Sequence, residues 1–190
     1  MCGRYYIEID EEELREIVNE AEKKTQGTPE QLTLKTGGDI FPTDTVPVQT
    51  GVGLYQPMRW GFVAYNGRPV INARSETALE KPMFKESMLA RRCLVPASGY
   101  YEWRKDGGRK IKYRLFLPDS PMYFAGCWRQ EKGRGFYTFV ILTQAAADGL
   151  AFIHDRMPVI IPRSLAGDWL QGGPGAMREA MTELTYSEVL

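Results

Sequence analysis

Residues 91–117 read RRCLVPASGYYEWRKDGGRKIKYRLFL, and their pattern sets the fold to expect. RCLVPAS, GYYEWRK and KIKYRLFL are short runs rich in β-branched and aromatic residues, the side chains that suit a pleated, half-buried surface. Asp106, Gly107 and Gly108 stand between the last two runs, where a tight hairpin would turn.

Outward from this stretch the same kind of run recurs as YQPMRWGFV, PVINAR, PMYFAGCW, GFYTFVILTQ and MPVIIP, with a first strand over Arg4 to Ile9. Helices are fewer. Asp10 is positioned to cap EEELREIVNEAEKK, whose acids come early and lysines late, as the helix dipole favours. Leu14, Ile17, Val18 and Ala21 give that helix its apolar face. FKESMLAR, RSLAGDWLQ and GAMREAM also read as helical, TQGTPEQ as a loop, and 37–50 as irregular, Gly/Pro-punctuated chain. Many short strands and few helices predict one α+β domain over 1–190, mainly antiparallel β, barrel-like, with peripheral helices.

Apolar residues make up 43% of the 190-residue chain and charged residues 25%, ordinary for a globular protein with a real core. No apolar run reaches the length of a membrane span and no signal-peptide pattern opens the chain, so a cytoplasmic location is expected. Cys2, Cys93 and Cys127 form no CxxC pair, which suggests neither a disulfide framework nor a zinc site. Net charge is zero, but its distribution is uneven. From Glu8 to Glu30 there are nine acidic and three basic residues, and from Lys85 to Arg114 nine basic and three acidic. Such faces can orient a protein on a polyanion, or simply be solvated surface.

Several residues could carry chemistry. His154 is the single histidine, set in AFIHDRMPVI at a strand or loop end. It is a natural proton carrier at neutral pH, although a lone histidine is often structural. INARSET offers Asn72, Arg74 and Glu76 at alternating positions, hence on one face of a strand: an amide, a phosphate clamp, and a base or brace. Glu102 lies between Tyr101 and Trp103 after a glycine. Facing inward with Cys2 it would suit proton transfer; facing outward it is a surface charge. Arg91, Arg92, Arg104 and Lys105 could follow a phosphate backbone, while Trp60, Tyr65, Tyr100 and Trp103 offer stacking faces for bases or serve as core. Cys2, behind the initiator methionine, is either a small buried residue or, once Met1 is trimmed, an amine and a thiol on adjacent carbons.

Taken in order, MCGRY, WGF, INARSET, RRCLVPASGYYEW, and TQAA followed by HDRMP resemble the SRAP (SOS response-associated peptidase) family from Met1 to about Ile161. The resemblance implies covalent capture of abasic sites in single-stranded DNA by a thiazolidine at Cys2, after autocatalytic removal of Met1, with lyase activity. Cys2 would be the nucleophile, and Asn72, Glu102 and His154 match the other active-site positions. Arg4, Arg74 and Arg156 fall where contacts to the DNA backbone are expected, with Trp60 as a further DNA contact. The implied partner is abasic single-stranded DNA, bound by a monomer with no metal, cofactor or membrane. Family members often carry a longer, tryptophan-bearing segment before INAR that splays the DNA; here only GFVAYNGRPV intervenes, with Tyr65 its large polar aromatic. Two other readings stand beside this one. One is a cysteine peptidase acting on other proteins through Cys2 and His154, the other a noncovalent single-strand binding module in which Cys2 is merely packed.

Overall fold

The computed structural model describes residues 2–10, 12–25 and 33–189. Met1 and nearly all of the TQGTPEQ loop lie outside the described residues, and the Asp10 cap rests partly on residue 11, also outside them. In chain order the first half holds β1 (Tyr5–Ile7), α1 (Glu12–Thr25), β2 (Gly38–Ile40), β3 (Thr45–Gly51), β4 (Leu54–Trp60), β5 (Phe62–Val63), β6 (Pro69–Val70), β7 (Asn72–Arg74) and α2 (Pro82–Ala90). The second half holds β8 (Arg92–Ala97), β9 (Gly99–Asp106), β10 (Arg109–Phe116), β11 (Met122–Gln130), β12 (Tyr137–Ala145), β13 (Arg156–Pro158) and β14 (Thr185–Val189).

Strands β11, β8, β3, β4 and β12 pair in that order, and β11 also pairs with β12, so the ring closes into a barrel. All neighbours in the ring are antiparallel except β12 and β4. Closure removes sheet edges, and the interior fills with side chains. Trp60, Phe124, Phe139, Val48 and Leu94 are fully buried there. A second sheet runs β14-β10-β9-β1-β2. Its central hairpin turns at Gly107 and Gly108, with φ of 51° and 88°. Both glycines sit in the left-handed region that a two-residue type I′ turn requires, which bears out the Asp-Gly-Gly signal. The α+β, mainly antiparallel, barrel-like expectation holds.

Helix α1 buries the expected face, with Leu14, Ile17, Val18 and Ala21 no more than 6% exposed, and it lies against β3 and β4. Three stretches differ from the sequence reading. The irregular stretch contains β3, an almost wholly buried barrel strand. Its Pro47 lies opposite Pro57 of β4, so one rung absorbs both missing N–H groups. RSLAGDWLQ and GAMREAM form short turns, 3-10 at Arg163–Leu165 and Pro174–Glu179 and π at Asp168–Gly172, rather than α-helices. Gly172, Gly173 and Pro174 interrupt them, and Gly173 has φ 122°. TYSEV near the end is a strand, β14, paired along β10.

The course of β12 positions the site. Along one edge it pairs first with β4, through Thr138 and Phe139, and then with β7, through Ile141 to Thr143. Along the other it pairs with β11 through Ile141, then with β13 through Thr143 to Ala145. The second half of β12 thus leaves the barrel and holds β7 on one side and β13 on the other, bringing INAR and HDRMP together from distant parts of the chain.

Candidate active site at Cys2

Cys2 is fully buried and packs into the core. It precedes β1, whose register pairs Tyr5 with Tyr100 and Tyr6 with Gly99. The Tyr101 backbone N–H donates to the Arg4 carbonyl at 2.9 Å. Continued towards the terminus, this pairing brings Cys2 and Gly3 alongside Glu102 and Trp103. Burial pushes the Cys2 thiol well above its ordinary pKa, and the negative charge of Glu102 pushes it further. At neutral pH the group is a thiol.

Asn72, at the start of β7, donates from Nδ2 to the Cys2 carbonyl at 2.8 Å. Its Oδ1 is buried and accepts no hydrogen bond from the described residues, so among them the amide has an acceptor to spare beside Cys2. Glu102 is 4% exposed. Alternation along β9 turns Tyr100 and Glu102 inward, leaving Tyr101 and Trp103 on the opposite face. The inward alternative for Glu102 is therefore the one realised.

Glu102 and His154 line one small cavity together with Tyr100, Arg156 and Met157. His154 is half-buried on the turn before β13. Its Nδ1 accepts the Arg156 backbone N–H at 3.0 Å and lies 2.8 Å from Asp155 Oδ1. The structure thus brings Cys2 together with Asn72 and Glu102, and Glu102 together with His154.

The arginines differ in their commitments. Arg156 is held at both ends of its fork by Glu76, Nη1 to Oε1 at 2.6 Å and Nη2 to Oε2 at 2.9 Å. Nη2 also donates to the Thr143 carbonyl at 2.6 Å. This hydrogen-bonded guanidinium holds the Glu76 carboxyl down at about 2. Glu76 lies past the end of β7, in the following turn, rather than on a strand face with Asn72 and Arg74. Arg74 is exposed, and its charge also favours ionised Glu76. The Arg4 guanidinium sits between two rings, 4.4 Å from the Phe41 centroid and 5.0 Å from that of Trp103. Phe41 was missed from the sequence: the β1–β2 pairing puts it there, and nothing in FPTD announces it.

Trp60 does not present a stacking face for DNA. It is fully buried at the end of β4, stacked on Phe139 with a centroid distance of 6.4 Å, and its indole N–H donates to the Ile71 carbonyl. Tyr100 is likewise core, and Arg92 is buried with Nε donating to the Trp169 carbonyl at 2.7 Å. Neither presents a stacking face or a charge at the protein surface. Arg91 is tied to Glu86 and Arg104 to Asp106, each at 2.9 Å. Tyr65 stands fully exposed between β5 and β6, and Trp103 is half-buried.

Residues 1–189 match the family model for SOS response associated peptidase (SRAP). The abasic site processing protein YoaM of Bacillus subtilis is 37% identical over 124 residues, covering 60% of this chain and 55% of that one. YedK of Escherichia coli, with the same descriptive name, is 35% identical over 120 residues, covering 60% and 54%. HMCES of Gallus gallus, again an abasic site processing protein, is 34% identical over 165 residues, covering 69% and 49%. The chain spans about half the length of these relatives. A Bordetella bronchiseptica protein of known crystal structure shares the fold over 100% of both chains, with a TM-score of 0.77 at 22% identity. With motifs in family order, a shared barrel and a family model matching from Met1 to residue 189, the chain belongs to the SRAP family.

Proposed function

We propose that this protein processes abasic sites in single-stranded DNA by trapping the opened sugar on Cys2, once Met1 has been removed by the chain's own peptidase activity. An abasic deoxyribose opens to an aldehyde. An α-amine titrates near ~7.7–8.0 and a lysine near ~10.4, so at neutral pH only the terminal amine is substantially unprotonated. That amine adds to the aldehyde and loses water to give an imine. The neighbouring thiol then adds to the imine carbon, its proton passes to the nitrogen, and a thiazolidine ring closes. Both nucleophiles belong to one residue, so the second addition is intramolecular and gains a high effective concentration.

Glu102 exchanges protons at the amine and at the carbinolamine as water leaves. His154 protonates or hydrogen-bonds the ring oxygen of the sugar as it opens. Asn72 fixes the Cys2 backbone through its Nδ2 and offers Oδ1 to the amine. Arg4 and Arg74 hold the strand by its phosphates, while Arg156, expected as a third phosphate contact, is engaged by Glu76 and Thr143 and braces the turn that carries His154. The observation that carries the reading is the meeting of three chain segments at Cys2: Asn72 bonded to its carbonyl and Glu102 close enough for its charge to act on the thiol. Homologues described as abasic site processing proteins support the substrate.

Complete burial of Cys2 favours a second reading, in which the residue is packing and the protein binds single strands noncovalently. A peptidase acting on other proteins is disfavoured, since it needs a thiolate at neutral pH and both burial and Glu102 oppose one. The test incubates methionine-free protein with an abasic single-stranded oligonucleotide and runs a denaturing gel. An adduct that disappears with Cys2→Ala or on acetylation of the amine supports capture. Intact binding with no denaturation-resistant adduct supports the second reading.

A further inference from the structure

The sheet β14-β10-β9-β1-β2 turns one face to the core, through Tyr5, Tyr100, Glu102, Tyr113 and Leu115. By alternation the other face carries Arg4, which precedes β1, Tyr6 of β1, buried beneath its neighbours, Tyr101, Trp103 and Lys105 of β9, and Lys110, Lys112, Arg114 and Phe116 of β10. On this face cations lie over rings. Lys112 Nζ is 3.7 Å from the Tyr101 centroid. The Arg114 guanidinium is 4.6 Å from Tyr6 and 5.1 Å from Phe116. Tyr6 and Tyr101 are 5.0 Å apart, and Arg4 bridges Phe41 and Trp103 at the edge nearest Cys2.

Charge on the face is one-sided. Its acids are Glu8, 3.1 Å from Arg114, and Asp39, 3.7 Å from Arg4. At the hairpin end Lys105 and Lys110 are directly opposed across the ladder, an arrangement of like charges that costs stability. Opposed lysines beside ring-stacked cations suit a polyanion that also presents flat apolar faces.

We propose that this outer face is a platform for the undamaged single strand flanking the lesion, with bases on the part-exposed Trp103 and Tyr101 surface, which buried Tyr6 supports from beneath, and phosphates at Lys105, Lys110 and Lys112. The inference deepens the abasic-site reading and rests on it, because continuity with Cys2 through Arg4 and Trp103 makes the platform an extension of that site. A single strand fits because its base faces are open to stacking, which a duplex conceals. Binding there is independent of sequence, since every base has a π-face.

The test uses methionine-free full chain and abasic oligonucleotides of minimal length, or extended on the 5′ or the 3′ side. Wild type is compared with a variant carrying Lys110→Gln and Lys112→Gln, whose folding is checked by thermal melting. Extension on one side is expected to tighten binding about tenfold. The variant loses most of that gain, and its salt dependence falls by about 0.7 per phosphate contact removed. Capture of the minimal oligonucleotide at saturation stays unchanged. A gain that persists in the variant, no gain on extension, or an equal gain from a duplex extension overturns the platform. If wild type captures nothing, the abasic-site reading fails separately. The platform then stands if undamaged single strands bind wild type and release from the variant, and falls if both proteins bind alike.

Discussion

The Asn72 side-chain amide donates to the Cys2 carbonyl at 2.8 Å across a sequence separation of 70 residues, so the second residue of the chain is located by a strand from its middle. Asn72→Ala removes this bond and the spare acceptor beside it. A part-buried hydrogen bond contributes ~1 kcal/mol, and adduct formation is expected to slow about tenfold in single-turnover kinetics. Affinity for an undamaged strand is expected to stay within about twofold. A variant that captures abasic DNA at the wild-type rate would remove Asn72 from the account.

Trp60→Phe and Trp60→Ala separate packing from DNA contact. The indole is stacked on Phe139 and bonded to Ile71, so truncation to alanine should cost roughly 3–5 kcal/mol of stability, with phenylalanine costing less. Denaturant melts read the loss directly. Trp60→Phe should bind undamaged single strands as wild type does; a selective loss of DNA binding with unchanged stability would restore the surface role.

The Glu76–Arg156 pair gives an acid-limb signature. The folded-state carboxyl sits at about 2 against an ordinary 4.5. A depressed carboxyl adds stability that is complete above the unfolded value and is lost as pH falls from about 4.5 towards about 2. Glu76 is half exposed, so solvent screening keeps the contribution below ~1 kcal/mol. Melting temperatures of wild type and Glu76→Gln should therefore differ at pH 7 and converge as the pH approaches 2. A difference that widens on acidification contradicts the pairing.

All three thiols are fully buried. For Cys2 and Cys93, burial is the leading cause of a pKa well above that of a free cysteine, and Cys127 is pushed up to about 12. In the chain that still carries Met1, a neutral-pH alkylating agent should label none of them rapidly, and all three after denaturation. Fast native labelling of Cys2 would show a thiol far more accessible than the structure has it.

The sequence made the barrel legible where alternation and turn chemistry agreed. RCLVPAS, GYYEWRK and KIKYRLFL became β8, β9 and β10, and Asp-Gly-Gly became the turn between the last two. It misled where a breaker was absorbed by its partner, as at Pro47 opposite Pro57, and where glycines cut a helical period into short turns. The motifs brought Asn72, Arg74, Glu102 and His154 to attention, but not the hand-over along β12 that assembles them. A tryptophan such as Trp60 carries the same letter in a core or on a surface. Phe41 became visible only through strand pairing, because long-range register has no local signal.

Mass spectrometry of the adduct reads whether the nitrogen and sulfur of Cys2 both bond to the sugar carbon. The N-terminal peptide from the reaction should lack Met1, carry the sugar remnant with loss of one water, and contain a Cys2 sulfur that no longer reacts with an alkylating agent. The same mass with the thiol still alkylatable, or the sugar mapped to a lysine or another cysteine, would rule out the thiazolidine at Cys2.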